Sequence, residues 1–375
     1  MAGIYIHIPF CKQACHYCDF HFSTNTQSVD QMISAMMREL DLQRDYLSNE
    51  KIETIYFGGG TPSMLTAVHL ESIVHKIDQL HSISSDAEIT LEANPDDLSS
   101  AKLIALKKIG INRLSIGVQT FDDSILKFLN RAHDSQSAID SIENAQRIGF
   151  DNISIDLIFA IPDQSQTVLT QDLEMLKKIS PNHISTYSLT IEERTAFGNW
   201  LSKGKIKPPS ENENVSQFEL IMNTLTSFGY EHYEISNFAK PEKYSRHNTS
   251  YWKQLPYLGI GPSAHSYNLD KRQNNIRHNA HYLREIGKGN IPAEVETLTK
   301  ENKINEFVFT SLRTMWGCDL EKLQNLYNHN FEETHATYLN KTIEQGLVTL
   351  NDNKILRLTN RGKMVADQIA MEFMI

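Results

Sequence analysis

The sequence has few cysteines and no dispersed set of them. Four cysteines occur in 375 residues, and three of the four lie within residues 11–18. A disulfide framework requires an oxidising compartment and cysteines spread along the chain. We therefore expect reduced thiols, with Cys318 as a buried apolar side chain because cysteine is among the most buried residue types.

Long hydrophobic runs and excess positive charge are also lacking. No apolar run approaches the roughly 20 residues of a membrane span, and the start, MAGIYIHIPF, lacks the basic and apolar parts of a signal peptide. The net charge is −10, from 36 Lys and Arg against 46 Asp and Glu, whereas binding to a nucleic acid backbone needs a dense basic face. We expect a cytoplasmic protein that binds no nucleic acid.

The first two hundred residues alternate between β-rich runs and amphipathic stretches, which predicts a parallel sheet flanked by helices. Strands are predicted over residues 4–8, 54–57, 88–91, 113–118, 152–158 and 183–189. Helices are predicted over residues 31–45, 65–80, 100–109, 135–148 and 167–178. Polar residues follow the strand ends, which is typical of a βα barrel with its site on the carboxyl-terminal rim.

The last third of the chain has a different pattern. Residues 292–300 are interpreted as a linker. Helices are then predicted over residues 302–316, 319–328, 334–345 and 359–374, with strands over 347–350 and 355–358. This order indicates a small, mainly helical domain of winged-helix type, and in an acidic chain we do not interpret it as DNA-binding.

The segment Cys11-x3-Cys15-x2-Cys18 carries the strongest chemical signal. Three thiolates in one short loop can converge on a soft metal centre. A structural zinc site needs four ligands, and His16 or His21 could supply the fourth. An iron–sulfur cluster held by three cysteines instead leaves one iron open. The spacing favours the cluster, and a zinc-stabilised binding module remains the alternative.

These residues resemble the signature of radical S-adenosylmethionine (SAM) enzymes, including the aromatic residue before the third cysteine. The blocks IYIHIPFCKQACHYCDF, IYFGGGTPS, EANPDDL, RLSIGVQTFDD and YEISNFAKP resemble the oxygen-independent coproporphyrinogen III oxidase family. The block HNTSYWKQLPYLGIGPSAHSY is similar to its heme-chaperone branch. The resemblance covers essentially the whole chain.

The resemblance implies an α/β fold, a radical SAM partial (β/α)6 TIM-like barrel with a smaller C-terminal, mainly helical, winged-helix-like domain. We expect the barrel and its cluster site over residues 1–235 and an extension with the HNTSYW segment over residues 236–295. The C-terminal domain is expected over residues 296–375.

The same resemblance implies a [4Fe–4S] cluster on Cys11, Cys15 and Cys18, whose open iron binds the amino and carboxylate groups of SAM. An electron from the cluster would cleave SAM to methionine and a 5′-deoxyadenosyl radical. The matching positions imply further SAM contacts from Tyr5, Tyr17, Gly59, Gly60, Thr61, Glu92, Gln119, Arg131 and Asp156. For each of these taken singly, an ordinary structural role is the alternative.

His247 lies in the HNTSYW segment, where an imidazole beside aromatic rings could ligate heme iron. The alternative is a packed aromatic cluster around a hydrogen-bonded histidine. Two departures from the oxidase pattern matter: Phe20 stands where the oxidase has a further cysteine, and only Met1–Gly3 precede the first predicted strand. Both favour a heme chaperone over porphyrinogen decarboxylation.

The expected partners are therefore heme or porphyrin, the apo-proteins that receive heme, and an electron donor such as flavodoxin or ferredoxin. We expect a cytoplasmic location with peripheral contact to the membrane during heme delivery. The residues leave open whether the chain is also an enzyme, and coproporphyrinogen III oxidation is the alternative function.

Overall fold

The computed structural model describes all residues from Met1 to Ile375. Its centre is a run of parallel strands, each paired with the next along the chain. These are β1 (Ala2–Ile8), β2 (Ile52–Gly59), β3 (Ile83–Ala93), β4 (Arg113–Gln119), β5 (Asn152–Phe159) and β6 (His183–Ser188). The predicted parallel sheet is confirmed, because all six predicted strands are present at their predicted positions.

Helices connect these strands, so each parallel pair is joined by a crossover. They are α1 (Val29–Leu42), α2 (Ala67–Leu80), α3 (Ser100–Ile109), α4 (Asp123–Phe128), α5 (Ser135–Ile148) and α6 (Gln166–Ile179). Two further helices, α7 (Ala196–Ser202) and α8 (Glu211–Ser227), follow β6. Short 3-10 turns occupy Pro62–Met64 and Pro95–Asp97. Helix α5 shows why the boundaries were predictable: Asp134 caps its start, and Gly149 ends it in the left-handed conformation.

Short strands extend the sheet on both sides to twelve strands. The added elements are β7 (Glu231–Glu234), β8 (Asn237–Ala239), α9 (Arg246–Trp252), β9 (Tyr257–Ile260), β10 (His265–Tyr267), β11 (Lys271–Asn275), α10 (Asn279–Lys288) and β12 (Ala293–Thr297). Strand β8 pairs antiparallel with β6, and β9 pairs parallel with β1. The predicted linker over residues 292–300 is wrong, because β12 in this stretch pairs with β11 along its whole length.

A separate three-stranded sheet and several helices form the C-terminal part. The elements are α11 (Lys300–Leu312), β13 (Cys318–Asp319), α12 (Leu320–Tyr327), α13 (Phe331–Thr334), α14 (Ala336–Glu344), β14 (Val348–Leu350), β15 (Ile355–Leu358), α15 (Asn360–Lys363) and α16 (Ala366–Glu372). The predicted last helix is wrong as a single element, since Val365 leaves helical geometry with φ of −130°. The first helix of this part also ends earlier than predicted, at Leu312.

Two large hydrophobic cores underlie this arrangement, beside a small cluster of four buried residues. The larger core takes residues from Ala2 to Ile286, and the smaller one takes residues from Ile304 to Phe373. Cys318 is fully buried in the smaller core, as predicted. The three-part domain division stays a prediction, although its boundary after residue 235 passes between the two strands of the β7–β8 hairpin. None of the helices has the length and apolarity needed to cross a membrane.

Candidate functional site

The predicted site residues gather at the carboxyl-terminal ends of the parallel strands. The cysteine loop follows β1, Gly59 ends β2, Gln119 ends β4, and Glu92 is the penultimate residue of β3. Because parallel strands end at the same rim, residues distant in sequence meet there. Asp156 lies further inside the barrel, near the middle of β5.

The cysteine loop is held by backbone hydrogen bonds to other loops. The Cys11 N–H donates to the Ser23 carbonyl at 3.0 Å, and the His16 N–H donates to the Leu129 carbonyl at 3.1 Å. Cys11 is buried, while Cys15 and Cys18 are half-buried. Burial raises the pKa of Cys11 and of Cys18 to about 11, so binding a metal there would release protons.

A glycine turn packs against the first of these thiols. A Cβ atom on Gly60 would lie 2.4 Å from the Phe10 carbonyl oxygen and 3.0 Å from the Cys11 Sγ. Gly59 has a φ of +103°, a conformation that side chains rarely allow. The Thr61 N–H donates to the Phe10 carbonyl at 2.7 Å, which ties this turn to the cysteine loop. Only glycine can therefore bring this backbone so close to Cys11.

No three His, Cys, Asp or Glu side chains are arranged around a single ion position in the structure. The three thiols nevertheless lie in one loop on the rim, at the carboxyl-terminal end of β1. Thiolate sulfur is the ligand that iron–sulfur clusters use. The donor set fits a cluster held by Cys11, Cys15 and Cys18.

The Arg131 guanidinium joins the cysteine loop to the ends of β3 and β4. Its Nη1 donates to the Cys15 Sγ at 3.3 Å, and its Nη2 donates to the Asn94 Oδ1 at 2.6 Å and to the Gly117 carbonyl at 2.7 Å. Its buried Nε has no hydrogen-bond partner. An unpartnered buried donor on a cation suits an anionic ligand group. Tyr17 packs beside this arginine, and burial raises the pKa of its hydroxyl.

Glu92 accepts hydrogen bonds from the Tyr56 hydroxyl at 2.8 Å and from the Gly59 N–H at 3.2 Å. Burial, followed by the nearby Asp156 carboxylate, raises the pKa of Glu92 to about 7 despite the Tyr56 hydrogen bond. Tyr5 stacks on Tyr56 with ring centroids 6.1 Å apart. These contacts hold the carboxylate in place, where it can accept further hydrogen bonds from hydroxyl groups.

Asp172 on α6 fixes the backbone beside Gln119. Gln119 has a φ of +72°, which is unusual for a residue with a side chain. Asp172 accepts from the Thr120 Oγ1 at 2.8 Å and from the Phe121 N–H at 2.7 Å. This carboxylate, which was not among the predicted site residues, holds the strained turn after β4 in place.

Asp156 is half-buried and lies among serine hydroxyls. The Ser115 Oγ donates to it at 3.2 Å and the Ser154 Oγ at 3.4 Å. Burial raises the pKa of Asp156. Its carboxylate lies in the barrel interior rather than among the loops of the rim.

His247 is not presented as a heme ligand. Its side chain is buried with 1% exposed, its Nδ1 pairs with the Thr54 Oγ1 at 2.7 Å, and its Nε2 pairs with the Tyr251 hydroxyl at 2.7 Å. Its ring stacks on Tyr56 with centroids 5.0 Å apart. Both ring nitrogens are already used, so ligation of heme iron by His247 would require one of these hydrogen bonds to break, and the ligand role stays a prediction. The packed aromatic cluster, which was the alternative, is what the structure contains.

Three residues of the site, Asn94, Tyr56 and Asp172, were not among the predicted site residues. Asn94 directly follows β3, so its place after a predicted strand was an available signal. Tyr56 lies inside a strand and Asp172 inside a helix, where a polar side chain gives no local sign of its partner. Their contacts with the site depend on the fold.

Comparisons with known proteins agree with this geometry. The family model for the Radical SAM superfamily matches residues 5–189, and that for the HemN C-terminal domain matches residues 298–365. The chain is 35% identical to "Heme chaperone HemW" of Bacillus subtilis (strain 168), covering 100% of this chain and 99% of that protein. It is 36% identical to "Heme chaperone HemW" of Lactococcus lactis subsp. lactis, covering 99% and 97%.

Among solved structures, coproporphyrinogen III oxidase (HemN) from Escherichia coli, a radical SAM enzyme, superposes with a TM-score of 0.86. The match covers 99% of this chain and 89% of that one at 24% identity. This likeness concerns the fold, and it confirms the predicted partial barrel with a C-terminal domain.

Proposed function

Since the chain belongs to the HemW family of radical SAM proteins, we propose that it is a heme chaperone that binds heme and transfers it to apo-proteins. The observation that carries this proposal is the 35% identity to a curated heme chaperone along the full length of both chains. A relative that matches only the barrel would support no more than shared cofactor chemistry. Here the C-terminal part and the segment between the two parts match as well.

The cofactors of this family are a [4Fe–4S] cluster and SAM. We propose that Cys11, Cys15 and Cys18 hold the cluster, which when bound supplies an electron to SAM. The Gly59–Thr61 turn offers backbone that a ligand can approach closely. The Arg131 cation suits the SAM carboxylate through charge-assisted hydrogen bonds.

The remaining predicted contacts would orient the rest of SAM. The carboxylates of Glu92 and Asp156 can accept hydrogen bonds from ribose hydroxyls. Tyr5, Tyr17 and Gln119 border the same rim or the barrel interior beneath it, and we propose that they enclose the bound cofactor. Enclosure of this kind excludes water from reactive species.

The test uses one anaerobically reconstituted preparation for two measurements. We expect it to bind heme, followed by absorbance, and to show no SAM-dependent conversion of coproporphyrinogen III to protoporphyrinogen. A second step mixes the heme-loaded protein with an apo-hemoprotein and follows heme transfer. Multiple-turnover decarboxylation without heme binding would overturn the chaperone assignment and favour the oxidase.

We further propose that a reduced flavodoxin or ferredoxin is the electron donor and that the protein works in the cytoplasm. Heme delivery would include peripheral contact with the membrane where the recipient is membrane-bound. An electron-transfer assay with each donor and fractionation of cells test these two points. Failure of both donors to reduce the cluster would contradict the first.

A further inference from the structure

Histidines gather around the chain that leaves the cysteine loop. The rings of His7 and His21 stack with centroids 6.2 Å apart and an angle of 26° between their planes. The charges of His265 and Arg277 help to lower the pKa of His7, and those of Arg277 and His278 help to lower the pKa of His21, in both cases after the larger effect of burial. This group lies on the same side of the barrel as Cys18, three residues before His21. Tyr5 lies between this group and the His247 cluster, because its hydroxyl pairs with His7 and its ring stacks on His247.

Within this group, His21 has a nitrogen lone pair that is free to bind a metal. Its Nε2 pairs with the Asn279 Oδ1 at 2.7 Å. A carbonyl oxygen only accepts hydrogen bonds, so the proton of the neutral ring is on Nε2 and the lone pair is on Nδ1. Nδ1 has no hydrogen-bond partner, and this atom is not fully buried. A metal-binding histidine commonly has its second nitrogen fixed in this way.

The neighbouring histidines lack this arrangement. The two nitrogens of His7 pair with the Tyr5 hydroxyl at 3.2 Å and the His21 carbonyl at 3.0 Å. The Nδ1 of His278 accepts from the His281 N–H at 3.2 Å, which leaves the proton on its Nε2.

His16 has a free nitrogen as well, because its Nδ1 pairs with the Phe128 carbonyl at 2.8 Å. Its ring, however, packs against Trp200 with centroids 4.7 Å apart and against Phe197 at 5.9 Å. A flat ligand as large as a porphyrin could not reach it without displacing both rings. His21, which is half-buried and does not have two aromatic rings packed on it in this way, is therefore the better candidate for a metal ligand.

An apolar ring and a cation lie next to His21. Phe20 is 72% exposed and can offer its face to a planar aromatic ligand. The Arg277 side chain is 48% exposed; its Nη2 donates to the Asp19 backbone carbonyl and lies 3.6 Å from the Asp19 carboxylate. An exposed ion pair of this kind contributes little, so a ligand carboxylate can replace Asp19. Arginine is well suited to carboxylates such as the heme propionates.

We propose that His21 is an axial ligand of the heme iron through Nδ1, with Phe20 against the porphyrin face and Arg277 on a propionate. The proposal rests on the proposed heme-chaperone function and places the cargo on the barrel rim beside the cluster loop. Burial and the nearby Arg277 charge lower the pKa of His21, although the Asn279 hydrogen bond opposes this shift. A lowered pKa keeps the ring neutral, as ligation requires.

The experiment compares heme with metal-free protoporphyrin IX on the full-length, reconstituted protein. We expect His21→Ala to weaken heme binding by roughly tenfold or more and to change the Soret band. Binding of metal-free protoporphyrin should stay close to wild type, because it involves no axial bond. Phe20→Ala should weaken both ligands. His278→Ala is the matched control and should change neither, since its free nitrogen carries a proton.

The second variant, His21→Gln, retains a donor for Asn279 and guards against a local folding defect. This variant should lose the extra affinity for heme over metal-free protoporphyrin. The iron and sulfide contents of the cluster should stay at wild-type values. Unchanged heme affinity and Soret band in both His21 variants would overturn the proposal, as would loss of the cluster in both. Absence of heme binding by wild-type protein would instead overturn the proposed function together with this inference.

Discussion

Glu92 shows how one buried hydrogen bond can set the pH response of the site. Its carboxyl faces Tyr56, Gly59 and Asp156, with Arg113 further along β4. Burial raises its pKa to about 7, above the ordinary value for glutamate. Between these values the folded chain holds a proton that the unfolded chain has released, so this group's contribution to stability falls as pH rises.

The Tyr56 hydroxyl favours the ionised form of Glu92, and Tyr56→Phe removes that hydrogen bond. We expect the pH below which SAM affinity declines to move upward by about one to two units, since a hydrogen bond to a charged group contributes about 1.5–3 kcal/mol. SAM binding measured by calorimetry from pH 6 to 9 checks this prediction. Tyr46→Phe, whose buried hydroxyl has no partner, is the control. A parallel loss of affinity at every pH would indicate a merely structural role for Tyr56.

The cysteines give a second prediction at this scale. Serine at position 11, 15 or 18 should abolish the cluster, whereas Cys318→Ser should retain about four iron and four sulfide per chain. Cys318 is the matched control because it is buried in the other core. Iron, sulfide and zinc analysis after anaerobic reconstitution provides the measurement. Stoichiometric zinc without sulfide would support the zinc-binding alternative.

At the scale of elements, Glu39 fastens α1 to the extension of the sheet. Its fully buried carboxylate accepts from the Gly261 N–H at 2.8 Å and from the Asn275 Nδ2 at 2.7 Å. The Gln43 Nε2 donates at 2.9 Å and the Tyr282 hydroxyl at 2.5 Å. One side chain thus joins α1, β11, α10 and the turn after β9.

Replacing Glu39 with alanine leaves these donors buried without partners, each at a cost of about 1–3 kcal/mol. We expect a marked loss of stability in chemical denaturation at pH 8, where the carboxyl is ionised. The exposed Glu71→Ala on α2 is the control and should be nearly neutral. Equal midpoints for the two variants would contradict the role assigned to Glu39.

The strands also show which secondary structure could be predicted from the sequence and which could not. Strands β1–β6 were predictable because each is a buried, β-branched run followed by a helix. Strand β12 was not, since its sequence AEVET is polar and its side chains beyond Ala293 are exposed. Only its pairing with β11 makes it a strand. Three-residue strands such as β8 carry too little sequence for any periodicity.

The site, too, could be predicted from the sequence only in part. The motifs predicted that residues from separate strands would meet on one rim, because parallel topology requires it. They did not predict the partners of His247, since Thr54 lies 193 residues away. Whether a histidine is free to bind a ligand depends on such distant contacts.

At the scale of the whole molecule, Arg313 links the two cores. Its guanidinium lies 3.4 Å from the buried Glu234 carboxylate and 5.6 Å from the ring of Trp252 on α9. It also pairs with Asp367 on α16. A backbone hydrogen bond also joins the two parts of the chain: the Met315 N–H donates to the Tyr233 carbonyl at 2.9 Å.

Arg313→Ala would leave Glu234 buried without its counter-charge, which typically costs about 3–5 kcal/mol. We expect the C-terminal part to detach more readily, with faster proteolytic cleavage between the two cores and earlier thermal unfolding. Arg284→Ala removes an exposed arginine and serves as the control. Identical cleavage rates in both variants would show that Arg313 does not hold the two parts together.

The outer edge of the long sheet has a consequence for how molecules behave at high concentration. The outermost strand β12 has free backbone groups on one side, and such an edge can template a strand from another copy. Glu294 and Glu296 are exposed there, so two copies approaching edge to edge would repel each other. Glu294→Val with Glu296→Val should therefore give concentration-dependent self-association in light scattering, whereas Glu71→Val should not. The carboxylates of Glu294 and Glu296 would then be what keeps this open barrel from self-associating through its free edge.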